Sequence, residues 1–186
     1  MLNEIKNPWK ILDTKDVYDS PWIQVTKHNV LNPSNQPGTY SVVHFKNLAI
    51  GILPLDEQYN TWIVGQYRFP LKRYTWEIPE GGGERDIPAV ESAKRELSEE
   101  VGIAAKKWTK IQEFDPSNAS TDERAIVFVA QDLSFHEAHP DDNEQLVVKK
   151  LPFSALYDLA VKGEITDSLS LVAILKTKLL MDQNKL

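Results

Sequence analysis

Between Pro88 and Gly102 the chain carries one strongly patterned helix with short apolar runs on both sides of it, and this narrows the fold more than any other feature. Val90, Ala93, Leu97 and Val101 recur at helical spacing, Pro88 suits a first turn, and Gly102 supplies a stop. The spacing predicts a helix over Pro88 to Val101. Ahead of it, Ala49 to Leu55 and Thr61 to Tyr67 are apolar segments separated by the polar stretch Asp56 to Asn60, and they read as paired core strands. The glycine run Gly81-Gly82-Gly83 is expected to stop regular structure. Behind the helix, Ala125 to Ala130 and Leu146 to Val148 read as strands. Phe153 to Val161 and Asp167 to Met181 read as helices, the second through Leu169, Val172, Ile174, Leu175 and Leu179. Strands on both sides of a central helix, with helices at the end, indicate an α/β sandwich.

The first forty-odd residues are β-rich in a different way. Trp22, Ile23, Val25 and Val30 sit among polar residues, and Asn32 to Gly38 is a turn cluster ahead of Tyr40 to Phe45. This predicts a hairpin-like arm over residues 1–44 and one catalytic domain over 45–186, a division that 186 residues allow. A net charge of -6 lacks the basic surplus of a nucleic-acid binder. With no cysteine, disulfides, thiolate zinc sites and a cysteine nucleophile are excluded. Met1 to Lys10 is polar, acidic and proline-bearing, and no run reaches membrane-spanning length, so a cytoplasmic location with no membrane partner is expected.

The chemistry concentrates in Arg95-Glu96-Leu97-Ser98-Glu99-Glu100-Val101-Gly102-Ile103. At ~100° per residue, Glu96, Glu99 and Glu100 share one arc beside the apolar arc of Val90, Ala93, Leu97 and Val101. Like charges so spaced weaken a helix unless something positive sits between them. Mg²⁺ or Mn²⁺, hard cations that take oxygen ligands, are the natural counter-charge. Taken alone, a glutamate-rich stretch is ordinarily the solvated face of an amphipathic helix.

The surrounding pattern changes that balance. From Gly81 to Ile103 the chain resembles the Nudix box: Gly, five residues, Glu, seven residues, then Arg-Glu-hydrophobic-x-Glu-Glu-x-Gly-hydrophobic. Gly81, Arg95, Glu96, Leu97, Glu99, Glu100, Gly102 and Ile103 match in register, eight of the nine specified positions. The departure is Ile87, where the family has its first box glutamate. That glutamate supports the site near the box arginine, so Arg95 is here held by Glu84, Asp86 or another group. Gln66-Tyr67-Arg68, followed by Trp76-Glu77-Ile78-Pro79-Glu80-Gly81, resembles the ADP-ribose pyrophosphatase branch. The likeness covers roughly residues 40–160. It implies a Nudix α/β/α sandwich with a mixed sheet, preceded by a β-rich arm that exchanges between two subunits and helps to hold the base.

Resemblance and chemistry together make Glu96, Glu99 and Glu100 the expected ligands of Mg²⁺ or Mn²⁺, with the backbone carbonyl of Glu80 a further one, and place Arg95 in the catalytic set. Arg68 is a candidate diphosphate clamp, because a guanidinium offers a fork of donors to phosphate oxygens; its plainer alternative is a strand-edge arginine. Glu77 matches a family position that touches substrate, against a strand-terminal salt bridge. Trp22 is a candidate for stacking on the base, against packing in the arm or the dimer interface. For the general base, Glu144 in the acidic loop His139 to Gln145 is the first choice, with His136 and His139 as alternatives. The implied reaction is metal-dependent hydrolysis of a nucleoside diphosphate sugar by a homodimer. Because Asn118 stands where the ADP-ribose branch usually has proline, GDP-mannose and other nucleotide sugars stay open beside ADP-ribose. A triphosphate-cleaving enzyme and a non-catalytic nucleotide-binding module are the competing readings.

Overall fold

The computed structural model describes residues 6–139 and 145–186. They divide into two compact units: residues up to Lys46 with Ser117–Glu123, and Asn47–Pro116 with Arg124–Leu186.

The first unit is a three-stranded antiparallel sheet of β1 (Lys10–Asp19), β2 (Ile23–Leu31) and β3 (Pro37–Phe45), with β2 in the centre. The turn between β2 and β3 follows from its sequence. Asn32 Oδ1 accepts the Ser34 and Gln36 backbone N–H groups at 3.0 and 2.9 Å, and Asn35 takes the left-handed conformation that asparagine tolerates. An arm of two strands is expected from the pattern, and β1 is the addition. All ten of its residues are exposed, so no apolar alternation marks it.

In the second unit the strands are β4 (Leu48–Pro54), β5 (Asn60–Arg68), β6 (Arg73–Glu77), β7 (Glu80–Gly83), β8 (Ile103–Phe114), β9 (Ala125–Phe135) and β10 (Val147–Pro152). The helices are α1 (Ala89–Val101), α2 (Phe153–Val161) and α3 (Ser168–Asp182). One sheet runs β7-β4-β9-β8 and is mixed, since β4 and β9 are parallel and the other pairs antiparallel. The other runs β10-β5-β6 and is antiparallel. Side chains of β4 and β9 sort by twos. Ile50, Ile52, Ile126, Phe128 and Ala130 join Ala93 and Leu97 of α1, while Leu53, Val127 and Val129 join Leu156 of α2 and Leu169 and Ile174 of α3. Both faces of this pair are thus covered by helices, which is why these strands read as unbroken apolar runs.

One expectation needs correction, and one further strand had no signal in the sequence. The glycine run does not end regular structure, because Glu80–Gly83 is β7, paired antiparallel with β4 from Leu48 to Gly51. A ladder needs main-chain groups and not side chains, so glycine can serve where the neighbouring element presses close. The twelve-residue strand β8 carries three lysines along its length and lies at a sheet edge, and its mixed pattern conceals it. Pro88 lies one residue before α1 with an extended ψ of 125°, and Asp167 caps α3 by accepting the Ser170 N–H at 2.7 Å. No helix among the described residues is long and apolar enough to cross a membrane.

Candidate active site

α1 places its carboxylates against β7, and the contacts follow the chain residue by residue. The Glu80 N–H donates to Glu100 Oε2 at 3.0 Å, the Glu96 carboxyl lies against the α-carbon of Gly81, and Arg95 Nη2 donates to the Gly82 carbonyl at 2.9 Å. Glu96 and Glu100, one helical turn apart, are 8% and 2% exposed, so two charged side chains lie on the packed face of the helix. A Cβ at Gly81 would overlap the Glu96 carboxyl, so glycine here leaves that carboxyl its place against β7. Gly102 ends α1 with φ of 65°, and a Cβ there would overlap the His136 carbonyl as well.

Arg95 is the positive charge among these groups. It donates to Glu99 Oε2 at 2.7 Å and to Glu96 Oε1 at 2.6 Å, so the neighbouring box glutamates and the Gly82 carbonyl hold it where Ile87 replaces the family's acid. Burial works against its charge, but the fields of Glu96 and Glu99 outweigh this and raise its pKa. Glu99 is the more exposed of the three carboxylates, at 37% of its side chain.

A second acidic group lies beside β7. Arg68 Nε donates to Glu77 Oε1 at 2.9 Å, Arg68 Nη2 reaches Glu77 Oε2, and the same nitrogen donates to Glu80 Oε1 at 2.5 Å. Thr75 Oγ1 adds a bond to Glu77 Oε1 at 2.6 Å. One carboxylate oxygen each from Glu77, Glu80 and Asp167 lie within 4.8 Å of one another, and the guanidinium of Arg68 partly offsets their charge. Burial opposes ionisation of both glutamates, yet the two diverge. Hydrogen bonds from Arg68 and Thr75 carry Glu77 below the usual carboxylate range, whereas burial, then Asp167 and Glu77, push Glu80 well above it. Glu77 therefore keeps the charge that Arg68 neutralises, and burial of Arg68 is outweighed by Glu77 and Glu80, which hold it protonated.

By the chemistry of their donors Glu96, Glu99, Glu100 and the Glu80 carbonyl suit a divalent cation, since Mg²⁺ and Mn²⁺ prefer oxygen, but among the described residues the carboxylates that meet within 4.8 Å of one another are those of Glu77, Glu80 and Asp167. Gly81 leaves the volume that the Glu96 carboxyl needs, and Glu80 Oε2 is buried without a hydrogen-bond partner among the described residues.

Of the remaining expected residues, Trp22 lies in the first unit and is 71% exposed. Glu144 lies outside the described residues. The chain leading towards it is fixed to α1: the His136 and His139 N–H groups donate to the carbonyls of Gly102 and Glu99 at 2.8 and 2.9 Å. The His136 ring lies 3.3 Å from Ser98 Oγ. Asp167 and Ser170 went unnoticed in the sequence. Ser170 Oγ accepts the Ile78 N–H at 2.9 Å, directly before the box. The only local trace is an Asp-x-x-Ser helix start, which occurs wherever a helix is capped.

The family model described as the NUDIX domain matches residues 45–169, and the one described as the nucleoside diphosphate sugar hydrolase N-terminal domain matches residues 9–43. An ADP-ribose pyrophosphatase of Bacillus subtilis (strain 168) is 29% identical over 167 residues, which cover 89% of this chain and 90% of that protein. An ADP-ribose pyrophosphatase of Mycobacterium tuberculosis (strain ATCC 25618 / H37Rv) is 30% identical over 141 residues, 72% of this chain and 65% of the relative. Among solved structures, one described as the crystal structure of ADP compounds hydrolase superposes with a TM-score of 0.85 at 20% identity, covering 99% of this chain and all of the other, and so shares its fold. With the box residues gathered on α1 and β7 and the domain matched over most of its length, the chain belongs to the Nudix family and is one of its hydrolases.

Proposed function

We propose that the protein hydrolyses the diphosphate bond of a nucleoside diphosphate sugar, with ADP-ribose and GDP-mannose as the first candidates, to a nucleoside monophosphate and a sugar phosphate. The observation that carries this reading is the match of residues 9–43 to the N-terminal domain of nucleoside diphosphate sugar hydrolases, directly ahead of the NUDIX domain. Two ADP-ribose pyrophosphatases among its relatives support the substrate class.

Glu96, Glu99, Glu100 and the Glu80 carbonyl hold Mg²⁺ or Mn²⁺ in this reading, and Arg95 sets the orientation of Glu96 and Glu99. A bound divalent cation supplies charge neutralisation at the phosphoryl oxygens and a more acidic water. Arg68 is our candidate for the donor that clamps the diphosphate, with Glu77 fixing its guanidinium plane. Glu144 is our choice for the group that takes the proton of the attacking water, on the chemical ground that a directed carboxylate is needed there. The enzyme acts as a cytoplasmic homodimer in which the first unit contributes to the nucleotide site. In support, Ile11, Leu12, Val17, Tyr18 and Trp22 of that unit are each more than half exposed, an apolar surface of the kind that a partner covers.

A panel of ADP-ribose, GDP-mannose, other nucleotide sugars and nucleoside triphosphates, assayed with Mg²⁺ and again with EDTA, tests the reading. Hydrolysis of at least one nucleotide sugar, abolished by EDTA, is expected. Undiminished turnover in EDTA, or cleavage of triphosphates alone, sinks it.

A further inference from the structure

We propose that Ser170, in the first turn of α3, is a positioning residue that fixes the Glu80 main chain against α1 and thereby sets the affinity of the carboxylate site for its divalent cation. The inference rests on the reading that Glu96, Glu99, Glu100 and the Glu80 carbonyl bind that cation.

The need for such a residue comes from how the chain changes sheets. β6 leaves its ladder at Glu77, opposite Val64, and β7 enters the other at Glu80, opposite Gly51. Ile78 and Pro79 span the gap, outside both ladders. Proline has no N–H to bind, and its ring confines the residue before it to extended conformations. The N–H of Ile78, a residue with no exposed surface, would then lie buried without an acceptor, a condition that native interiors avoid. Ser170 Oγ meets it at 2.9 Å, and Ser170 is itself wholly buried.

Besides the β4–β7 ladder that holds Gly81 to Ile50, three bonds set where the Glu80 carbonyl lies. The Pro79 carbonyl accepts from Ile52 N at 2.8 Å, on β4, and the Glu80 N–H donates to Glu100 Oε2 at 3.0 Å, on α1. The third is the Ser170 bond, which among the described residues ties the crossing to α3. Asp167 holds the serine in turn, by accepting its backbone N–H at 2.7 Å. The proposed ligands come from two elements, a helix and a strand end, so their relative placement is a tertiary property. Groups that orient metal ligands from behind change metal affinity by about 10–100-fold when removed. Ser170 is separated by ninety-two residues from the amide that it binds, and has no part in the box pattern.

The test measures Mn²⁺ binding to the whole protein by the loss of the free-ion paramagnetic resonance signal, alongside the Mn²⁺ concentration for half-maximal hydrolysis. Ser170→Ala is expected to weaken both about tenfold, while the KM for substrate at saturating Mn²⁺ stays within about threefold. Ser170→Thr keeps the acceptor and is expected within about threefold of wild type in binding. Thr177→Ala removes a hydroxyl from an equally buried side chain further along the same helix, and is expected to bind as wild type does. Should Ser170→Ala fail to fold, Ser170→Cys, close in shape but a weaker acceptor, replaces it and is expected to bind more weakly than the Thr variant and outside its threefold range. Wild-type binding in the Ala or Cys variant overturns the proposal. So does a Thr variant as weak as the Ala variant, or a Thr177→Ala variant as weak as either. A wild-type protein that binds no Mn²⁺ instead overturns the metal reading of the carboxylates, a result distinct from these.

Discussion

Gly81→Ala is the smallest change that attacks the site directly. The added Cβ would stand 2.5 Å from Glu96 Oε2 and nearer still to the other carboxyl atoms, where real Cβ contacts essentially never fall below 3.0 Å. The nearest carboxyl atom must therefore retreat by about 0.8 Å at the least, and by about 1.2 Å to reach an ordinary contact. The main chain offers no relief. Gly81 is laddered to Ile50, and α1 is packed at Ala93 and Leu97, both with no exposed surface, so the Glu96 side chain itself has to rotate away. Overpacking of this kind costs about 1–3 kcal/mol, and a Glu96 that swings towards solvent keeps the loss near 1 kcal/mol. In a protein of this size that lowers Tm by about 2–4 °C. Displacing a ligand by about 1 Å costs on the order of a hundredfold in turnover. The assay pairs a thermal melt with kcat at saturating Mg²⁺, and the variant should be folded, slightly less stable and about a hundredfold slower. A Gly81→Ala protein with wild-type kcat would show that the Glu96 carboxyl does not have to sit where β7 now places it.

Three further outcomes follow from the same contacts. Glu99→Gln changes a partly exposed side chain that bonds Arg95, so turnover should fall by about a hundredfold or more with Tm within about 2 °C; a rate within threefold of wild type contradicts its role. Arg68→Met leaves the charge of Glu77, 2% exposed, with Thr75 and beside the carboxyls of Glu80 and Asp167, and should cost about 2 kcal/mol in urea unfolding, an amount that adding Glu77→Gln largely restores; equal stability of the single and double variants argues against a coupled pair. Light scattering should give a dimer for the wild-type chain and a monomer after Ile11→Asp with Val17→Asp on exposed β1, and a monomeric wild type removes the first unit from the partner's site.

How much of this could be read beforehand depended on whether the deciding contact was local. α1 was legible because its apolar spacing, its preceding proline and Gly102 all act within one turn of themselves. β4 and β9 were legible because burial on both faces writes an unbroken apolar run. β1 and β8 were not. The first is exposed throughout, and the second is an edge strand whose lysines fit a solvated loop as well as a strand. The β7 glycines signal a break by propensity, and only the carboxyl of Glu96 pressed against Gly81 explains why a strand is made of them. Arg95, Glu96, Glu99 and Glu100 stand out in the sequence by their register. The pairing of Arg68 with Glu77 and Glu80 needed the antiparallel β5–β6 ladder, and the reach of Ser170 and Asp167 to the crossing at Ile78 is a contact between distant parts of the chain that no spacing records.

The most direct measurement is a phosphorus magnetic resonance time course of ADP-ribose incubated with the protein and Mg²⁺. The two diphosphate signals should disappear together and give two phosphomonoester signals in equal amount, from AMP and ribose 5-phosphate, with no orthophosphate or pyrophosphate and no change when EDTA replaces the metal. If ADP-ribose and the other nucleotide sugars stay intact under these conditions while ATP releases orthophosphate or pyrophosphate, the protein is not a nucleoside diphosphate sugar hydrolase.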